Sequence, residues 1–148
     1  MIIYFQILNF CIIIQVSRKI NEEGETILNL IQERFLKNPL ESNNEKTLWN
    51  IPITIKTKSS QPDLHTKVLM TDKIIEINLG VLQKINWIKL NSDNVGFYRV
   101  NYSKEMFDEL LCHLENDLTN FGSALDRFEL VSDTFALVIF LVIFIQIL

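Results

Sequence analysis

Few residues in this 148-residue chain are equipped for chemistry. The histidines are His65 and His113, and the cysteines are Cys11 and Cys112. A helical metallohydrolase site needs two histidines at i and i+4 on one face, with a glutamate as base. His65 is followed by Thr66-Lys67 and His113 by Leu114-Glu115, so neither opens an H-E-x-x-H. Glu109, Cys112 and His113 crowd one predicted helix. However, the adjacent Cys112 and His113 point about 100° apart, which does not suit tetrahedral ligation. That pair also lacks the separation and the orienting third group of a Cys–His nucleophile. There is no G-x-S-x-G elbow, no G-x-x-x-x-G-K-[ST] loop and no G-x-G-x-x-G turn. The expected list of catalytic, cofactor-binding and metal-ligating residues is therefore empty, and no cofactor is expected in this chain. Two arginines carry the remaining interest. Arg99 sits mid-strand between aromatics, either as a guanidinium stacked for a ligand or as a tie between sheet and following helices. Asp126-Arg127 reads as a helix-start acid beside an exposed or bridging arginine.

The elements that would position these residues are short strands followed by helices. Cys11–Ser17 is an apolar, β-branched run, and Asn21-Glu-Glu-Gly24 is a turn signal. Glu25–Phe35 alternates, with Leu28, Leu30, Gln32 and Arg34 on one side and Ile27, Ile31 and Phe35 on the other. Its period leaves a helix open. Lys37–Lys46 and Ser59–Leu64 read as loops. Thr47–Lys58 reads as a strand whose Pro52 belongs on an edge or at a bulge. Lys67–Thr71, Ile74–Leu79, Trp87–Leu90 and Val95–Tyr102 complete the set. Trp87–Tyr102 reads as a hairpin, because Asn91-Ser-Asp-Asn94 tolerates left-handed backbone and Gly96 suits a bulge or a close approach. About seven short strands at this spacing predict an antiparallel β-sandwich, followed by two or so α-helices.

After Tyr102 the period changes. Ser103 is a good N-cap, and Phe107, Leu110, Leu111, Leu114 and Leu118 share one helical face. Ser123-x-x-Asp126 resembles a capping box, and Leu125, Phe128, Val131 and Phe135 form the next apolar stripe. The expected division is a β domain over 11–102 and the start of a helical domain over 103–148. Both stripes need partners, because two helices bury little by themselves.

Bulk properties narrow the function classes. Apolar residues make up 48% and charged residues 22%, typical of a globular chain. A formal charge of −4 with scattered basic residues argues against nucleic acid. Two cysteines suit a reducing compartment better than a disulfide framework. Met1–Val16 is apolar but lacks the positive n-region and cleavage site of a signal peptide. Ala136–Leu148 is apolar apart from Gln146, and as a helix it would reach about 20 Å, short of a bilayer core of roughly 30 Å.

Three stretches together resemble one family. Leu48-Trp-Asn-Ile-Pro-Ile-Thr54, Trp87–Asn91 with Val95–Tyr102, and Asp126-Arg-Phe-Glu-Leu-Val-Ser-Asp-Thr-Phe-Ala-Leu137 are similar, in order and spacing, to the aminopeptidase N / puromycin-sensitive aminopeptidase family of zinc exopeptidases. Ile31-Gln-Glu-Arg-Phe-Leu36 resembles the strand that precedes them, and Lys67–Met70 and Ser103–Phe107 resemble the puromycin-sensitive branch. The resemblance runs from about Ile13 to Leu137. It implies the family's small β-sandwich and the opening helices of its C-terminal domain. The family's zinc site and its G-A-M-E-N substrate motif lie upstream, and no position here matches either. The implied function is a non-catalytic part of a zinc metalloaminopeptidase, linking catalytic and helical domains in a cytoplasmic parent that trims peptide N-termini. Its partners would be those missing domains. The alternative is a stand-alone binding module, or one held to a membrane by the apolar tail. That tail, from Val138, departs from the family pattern, as does Phe10-Cys11-Ile12. Both ends read as translated non-coding sequence or as the ends of a truncated gene model.

Overall fold

The computed structural model describes residues 12–34, 48–59, 64–118 and 120–147. Among the described residues seven strands form two sheets, and two helices follow. The strands are β1 (Ile12–Ile20), β2 (Thr26–Arg34), β3 (Ile51–Lys58), β4 (His65–Met70), β5 (Ile74–Asn78), β6 (Trp87–Leu90) and β7 (Tyr98–Tyr102). The helices are α1 (Lys104–Asn116) and α2 (Ala124–Ile147). The described residues are therefore mainly β with two α-helices, as the pattern predicts. The predicted loop over 37–46 lies outside the described residues.

One sheet has the order β5-β2-β1-β7 and the other β4-β3-β6. Strand alternation explains their shared core. Ile14 and Val16 of β1, Leu28 and Leu30 of β2, and Tyr98 and Val100 of β7 meet Ile51, Ile53 and Ile55 of β3, Met70 of β4, and Ile88 and Leu90 of β6. The period-2 pattern of Glu25–Phe35 thus resolves as strand: residues 28, 30 and 32 face inward, and inward residues two apart exclude a helix. Gln32 is buried on this side. Its amide donates to the carbonyls of Trp49 and Asp72 and accepts from the Trp49 N–H, which ties three segments together. At the β1–β2 turn the Asn21 side chain accepts the N–H groups of Glu23 and Glu25, while Gly24 takes a φ of 79° that favours glycine.

Pro52 is tolerated for a local reason. β3 is the middle strand of its sheet, but β6 pairs only from Ile55 onward, so Pro52 faces β4 alone and lies at a local edge.

Two expectations fail here. Trp87–Tyr102 is not a hairpin, since β6 pairs with β3 in one sheet and β7 with β1 in the other. The connection between them changes sheets. The turn chemistry was read correctly: Asn91, Asp93 and Asn94 all take positive φ. Such residues reverse the chain, but they do not decide which strand it joins. Gly96 is a close approach, because a Cβ there would lie 2.2 Å from Tyr98 Cε1 and 2.9 Å from Asn91 Oδ1. The second failure is strand direction. β1 and β7 run parallel, Ile12 opposite Tyr98 and Val16 opposite Tyr102, so the strand set is not wholly antiparallel.

Ser103 caps α1, its hydroxyl accepting the Met106 N–H at 3.5 Å. α1 sends Met106 into the inter-sheet core and Leu110 onto Trp87, Phe121 and Leu130. Leu118 lies beyond the helix and is exposed. Among the described residues no helix is long and apolar enough to cross a membrane.

Replacing Leu30 with Ala should lower stability by about 2–5 kcal/mol, read as a fall in the urea midpoint at unchanged slope. A cost under about 1 kcal/mol would show that the two sheets do not close on this side chain.

Candidate functional site

β6 is buried on both faces. Ile88 and Leu90 enter the inter-sheet core, while Trp87 and Lys89 face the helices. Trp87 meets Phe121 with ring centroids 5.2 Å apart. Lys89 brings an ammonium into a site where its side chain is only 1% exposed. A buried cation is costly unless its charge and its protons are all met.

Helix α2 supplies what Lys89 needs. Asp126, Glu129 and Asp133 recur at three- and four-residue spacing, so they share one face, and all three are buried. Lys89 Nζ lies 3.1 Å from Asp126 Oδ1 and donates to Glu129 Oε2. It also donates to the carbonyls of Leu90 at 3.0 Å and Asn91 at 3.4 Å. Lys56 of β3 stands 3.9 Å from Asp126 Oδ2. Arg99 Nη1 meets Asp133 Oδ1 at 2.8 Å and reaches the Ser132 carbonyl. Of the two readings of Arg99, the sheet-to-helix tie is the one found.

The carboxylates also collect backbone N–H groups. Asp126 accepts from Ser123 at 2.8 Å and Asp93 at 2.9 Å, while the Ser123 hydroxyl accepts from the Asp126 N–H. The capping box is therefore real, and its acid also fixes the strained turn before β7. Gly122 is required beside it: its φ is 52°, and a Cβ there would lie 2.6 Å from Asp126 Oδ2. Asp133 Oδ2 accepts the Val100 N–H at 2.8 Å. Arg127 bridges, donating to the carbonyls of Leu118, Phe121 and Gly122.

These environments separate the three acids. Burial pushes Asp126 upward, but the Ser123 and Asp93 N–H groups and the Lys89 charge outweigh it and hold the carboxyl below its usual range. Burial raises Glu129 to about 7 against the pull of Lys89, with Asp133 adding to the rise. Burial also raises Asp133, countered in part by the Val100 N–H and Arg99. Burial lifts Tyr98 to about 12 and Tyr102 well above its ordinary value. The Tyr102 hydroxyl accepts the Leu90 N–H at 2.9 Å, joining β7 to β6.

This arrangement clamps a helix to two strands. Its cations and N–H groups face its own acids, all three of which are buried beneath the helix. The residues first weighed for metal chemistry are dispersed. His65 is exposed on β4, His113 is on α1, and Cys112 is free and exposed. Glu109 is held by Arg18 of β1 at 2.6 and 2.9 Å. Among the described residues no group of three or more His, Cys, Asp or Glu is placed to hold a metal ion, and this donor set does not fit zinc.

The apolar stripe of α2 finds no cover among the described residues: Leu125, Phe128, Val131 and Phe135 are 53–66% exposed, while the acids of the opposite face are buried. Lys89, Arg99 and the N–H groups of Asp93 and Val100 take up the carboxylates of the inner face. Sequence reading missed Lys89 because alternation around Ile88 and Leu90 points it to solvent. The available signal was the spacing of Asp126, Glu129 and Asp133 opposite an apolar stripe.

Comparison with known proteins agrees with this geometry. Residues 87–139 match the family model described as the ERAP1-like C-terminal domain, which begins at the strand that carries Lys89 and includes all three acids. The chain is 33% identical over 125 residues to a puromycin-sensitive aminopeptidase of Caenorhabditis elegans, covering 84% of this chain and 13% of that protein. It is 34% identical over 125 residues to endoplasmic reticulum aminopeptidase 2 of Bos taurus, covering 80% and 12% respectively. By sequence, the chain belongs to the aminopeptidase N family. Glutamyl aminopeptidase of Homo sapiens is 31% identical over 119 residues, covering 75% of this chain and 12% of that protein. The chain thus spans only 12–13% of the length of these aminopeptidase relatives.

Replacing Lys89 with Met should leave Asp126 and Glu129 buried around a missing charge and cost about 3–5 kcal/mol. Lys19→Met, which breaks the exposed pair with Glu76, should cost under about 1 kcal/mol. Equal urea midpoints for the two variants would show that the buried cluster does not hold α2.

Proposed function

We propose that this chain is a non-catalytic part of a zinc metalloaminopeptidase, and that it works as the structural link between the catalytic domain and the helical C-terminal domain of the parent. The parent would remove N-terminal residues from peptides, with zinc held in its catalytic domain and cytosol as its compartment. The division at Tyr102–Ser103 into a β unit and the opening of a helical unit belongs to this reading.

The observation that carries the proposal is the two-sided character of α2. Its inner face is locked to β6 and β7 by Lys89 and Arg99, while its outer face leaves Leu125, Phe128, Val131 and Phe135 exposed. A contiguous apolar face of this kind is a contact surface. Below it, α1 and α2 leave an apolar groove of about 310 Å³ lined by Phe107, Leu111, Leu114 and Phe135 among others. A link between two larger bodies requires such a face on the side away from its own sheets.

Two measurements test this. The purified chain should not hydrolyse aminoacyl anilides, with or without added zinc, and chelator-sensitive turnover would overturn the reading. The double variant Phe128→Ser, Phe135→Ser should shift the stability of the isolated chain by no more than about 0.5 kcal/mol per site and should reduce binding of an apolar dye. A collapse in stability would show that the stripe packs within this chain and is not held for another domain.

A further inference from the structure

The cluster beneath α2 contains one carboxyl that its surroundings do not satisfy as an anion. Asp126 has two backbone N–H groups and a share of Lys89 and Lys56. Asp133 has the Val100 N–H and Arg99. Glu129 has its share of Lys89 through Oε2 and a weaker pull from the Asn91 amide, which already donates to the Gly96 and Tyr98 carbonyls, and its Oε1 is buried with no hydrogen-bond partner among the described residues. Lys89 is divided among two carboxylates and two carbonyls, so it cannot serve Glu129 fully. A buried carboxylate oxygen without a donor is unstable as an anion and is stabilised by taking a proton.

We infer that Glu129 is a proton-operated latch: its buried carboxyl takes up a proton as α2 docks on β6 and β7, and losing that proton loosens the docked helix. The charged and titratable groups around it are Lys89 of β6, Arg99, Tyr98 and Tyr102 of β7, Lys56 of β3, and Asp126 and Asp133 of α2 itself. Both tyrosines are raised further above neutrality and stay uncharged in the relevant range. Asp126 is held ionised by its N–H donors, so it keeps Lys89 paired whether or not Glu129 carries its proton.

The direction of the effect follows from linkage. The folded chain binds this proton more tightly than the unfolded chain does. The stabilisation is complete below the ordinary glutamate range near 4.5, and it is lost as pH rises through about 7. This is the reverse of the usual salt-bridged carboxylate, whose contribution disappears in acid. Asp133 is raised too and acts in the same sense.

The experiment is urea unfolding of the full chain from pH 5.5 to 8, above the isoelectric point of about 5.2, for the native sequence and for E129Q. The amide keeps the shape of the protonated carboxyl but cannot titrate. The native folding equilibrium constant should fall roughly 30-fold across this window, since the carboxyl moves from about 7 when folded to 4.5 when unfolded. E129Q should lose most of that dependence. Equal slopes in both proteins, or a native stability that rises with pH, would overturn the latch. If E129Q does not fold, carbon-detected NMR titration of the native Glu129 carboxyl decides. A midpoint near neutrality supports the inference, and one in the ordinary glutamate range refutes it.

Discussion

A single ammonium group, Lys89 Nζ, organises the half of this molecule that matters most for its role. Removing it from water costs several kcal/mol unless every proton and the charge itself are met. Two of its partners, the carbonyls of Leu90 and Asn91, come from its own strand end. The others must come from elsewhere, and Asp126 and Glu129 of α2 are the groups that arrive. Once they are in place, much else follows. Asp126 also accepts the Asp93 N–H, which holds the left-handed turn between the sheets, and it caps its own helix through Ser123. The helix is then set so that Asp133 reaches Arg99 and the free N–H of Val100 on the edge strand. The polar interior of this junction fixes the angle of α2 more strictly than apolar packing would, because carboxylate geometry tolerates less displacement than side-chain contact does.

The β half was legible because strand alternation and core membership are the same fact seen twice. Leu28, Leu30 and Gln32 fall on one side of an extended chain, and that side is the core. Ser103 and Ser123 were legible as caps because capping is local chemistry. What failed was decided at a distance. Nothing in Trp87–Tyr102 records that β6 will join β3 while β7 joins β1, since both outcomes bury Ile88, Leu90, Tyr98 and Val100 equally well. The inward face of α2 was hidden for a related reason. Nothing local to Asp126, Glu129 and Asp133 records that Lys89 and Arg99 will stand opposite them.

The same helix gives the sequence comparisons their structural content. The stretch matched by the ERAP1-like C-terminal domain model runs through the clamp and along α2, ending at residue 139. The aminopeptidase relatives are roughly eightfold longer than the segment they share with this chain. What the shared segment contains is a strand, a turn and a helix fixed to one another by buried ions, with an apolar face directed outward.

The parallel pairing of β1 with β7 has a consequence for how the chain acquires its shape. Residue 12 lies beside residue 98, so the first described strand keeps an open edge until nearly all the others have been made. Contacts this distant in sequence delay folding, because the entropy of closing the intervening chain is lost before the contact forms. During synthesis from the N-terminus, β1 and β2 can pair early, but their sheet stays incomplete and exposes hydrogen-bonding groups that invite other strands. The strand that finally covers that edge leads, through Ser103, directly into α1. Completion of the sheet and emergence of α1 are therefore nearly one event on the ribosome, and the chain remains exposed to misassembly until that point.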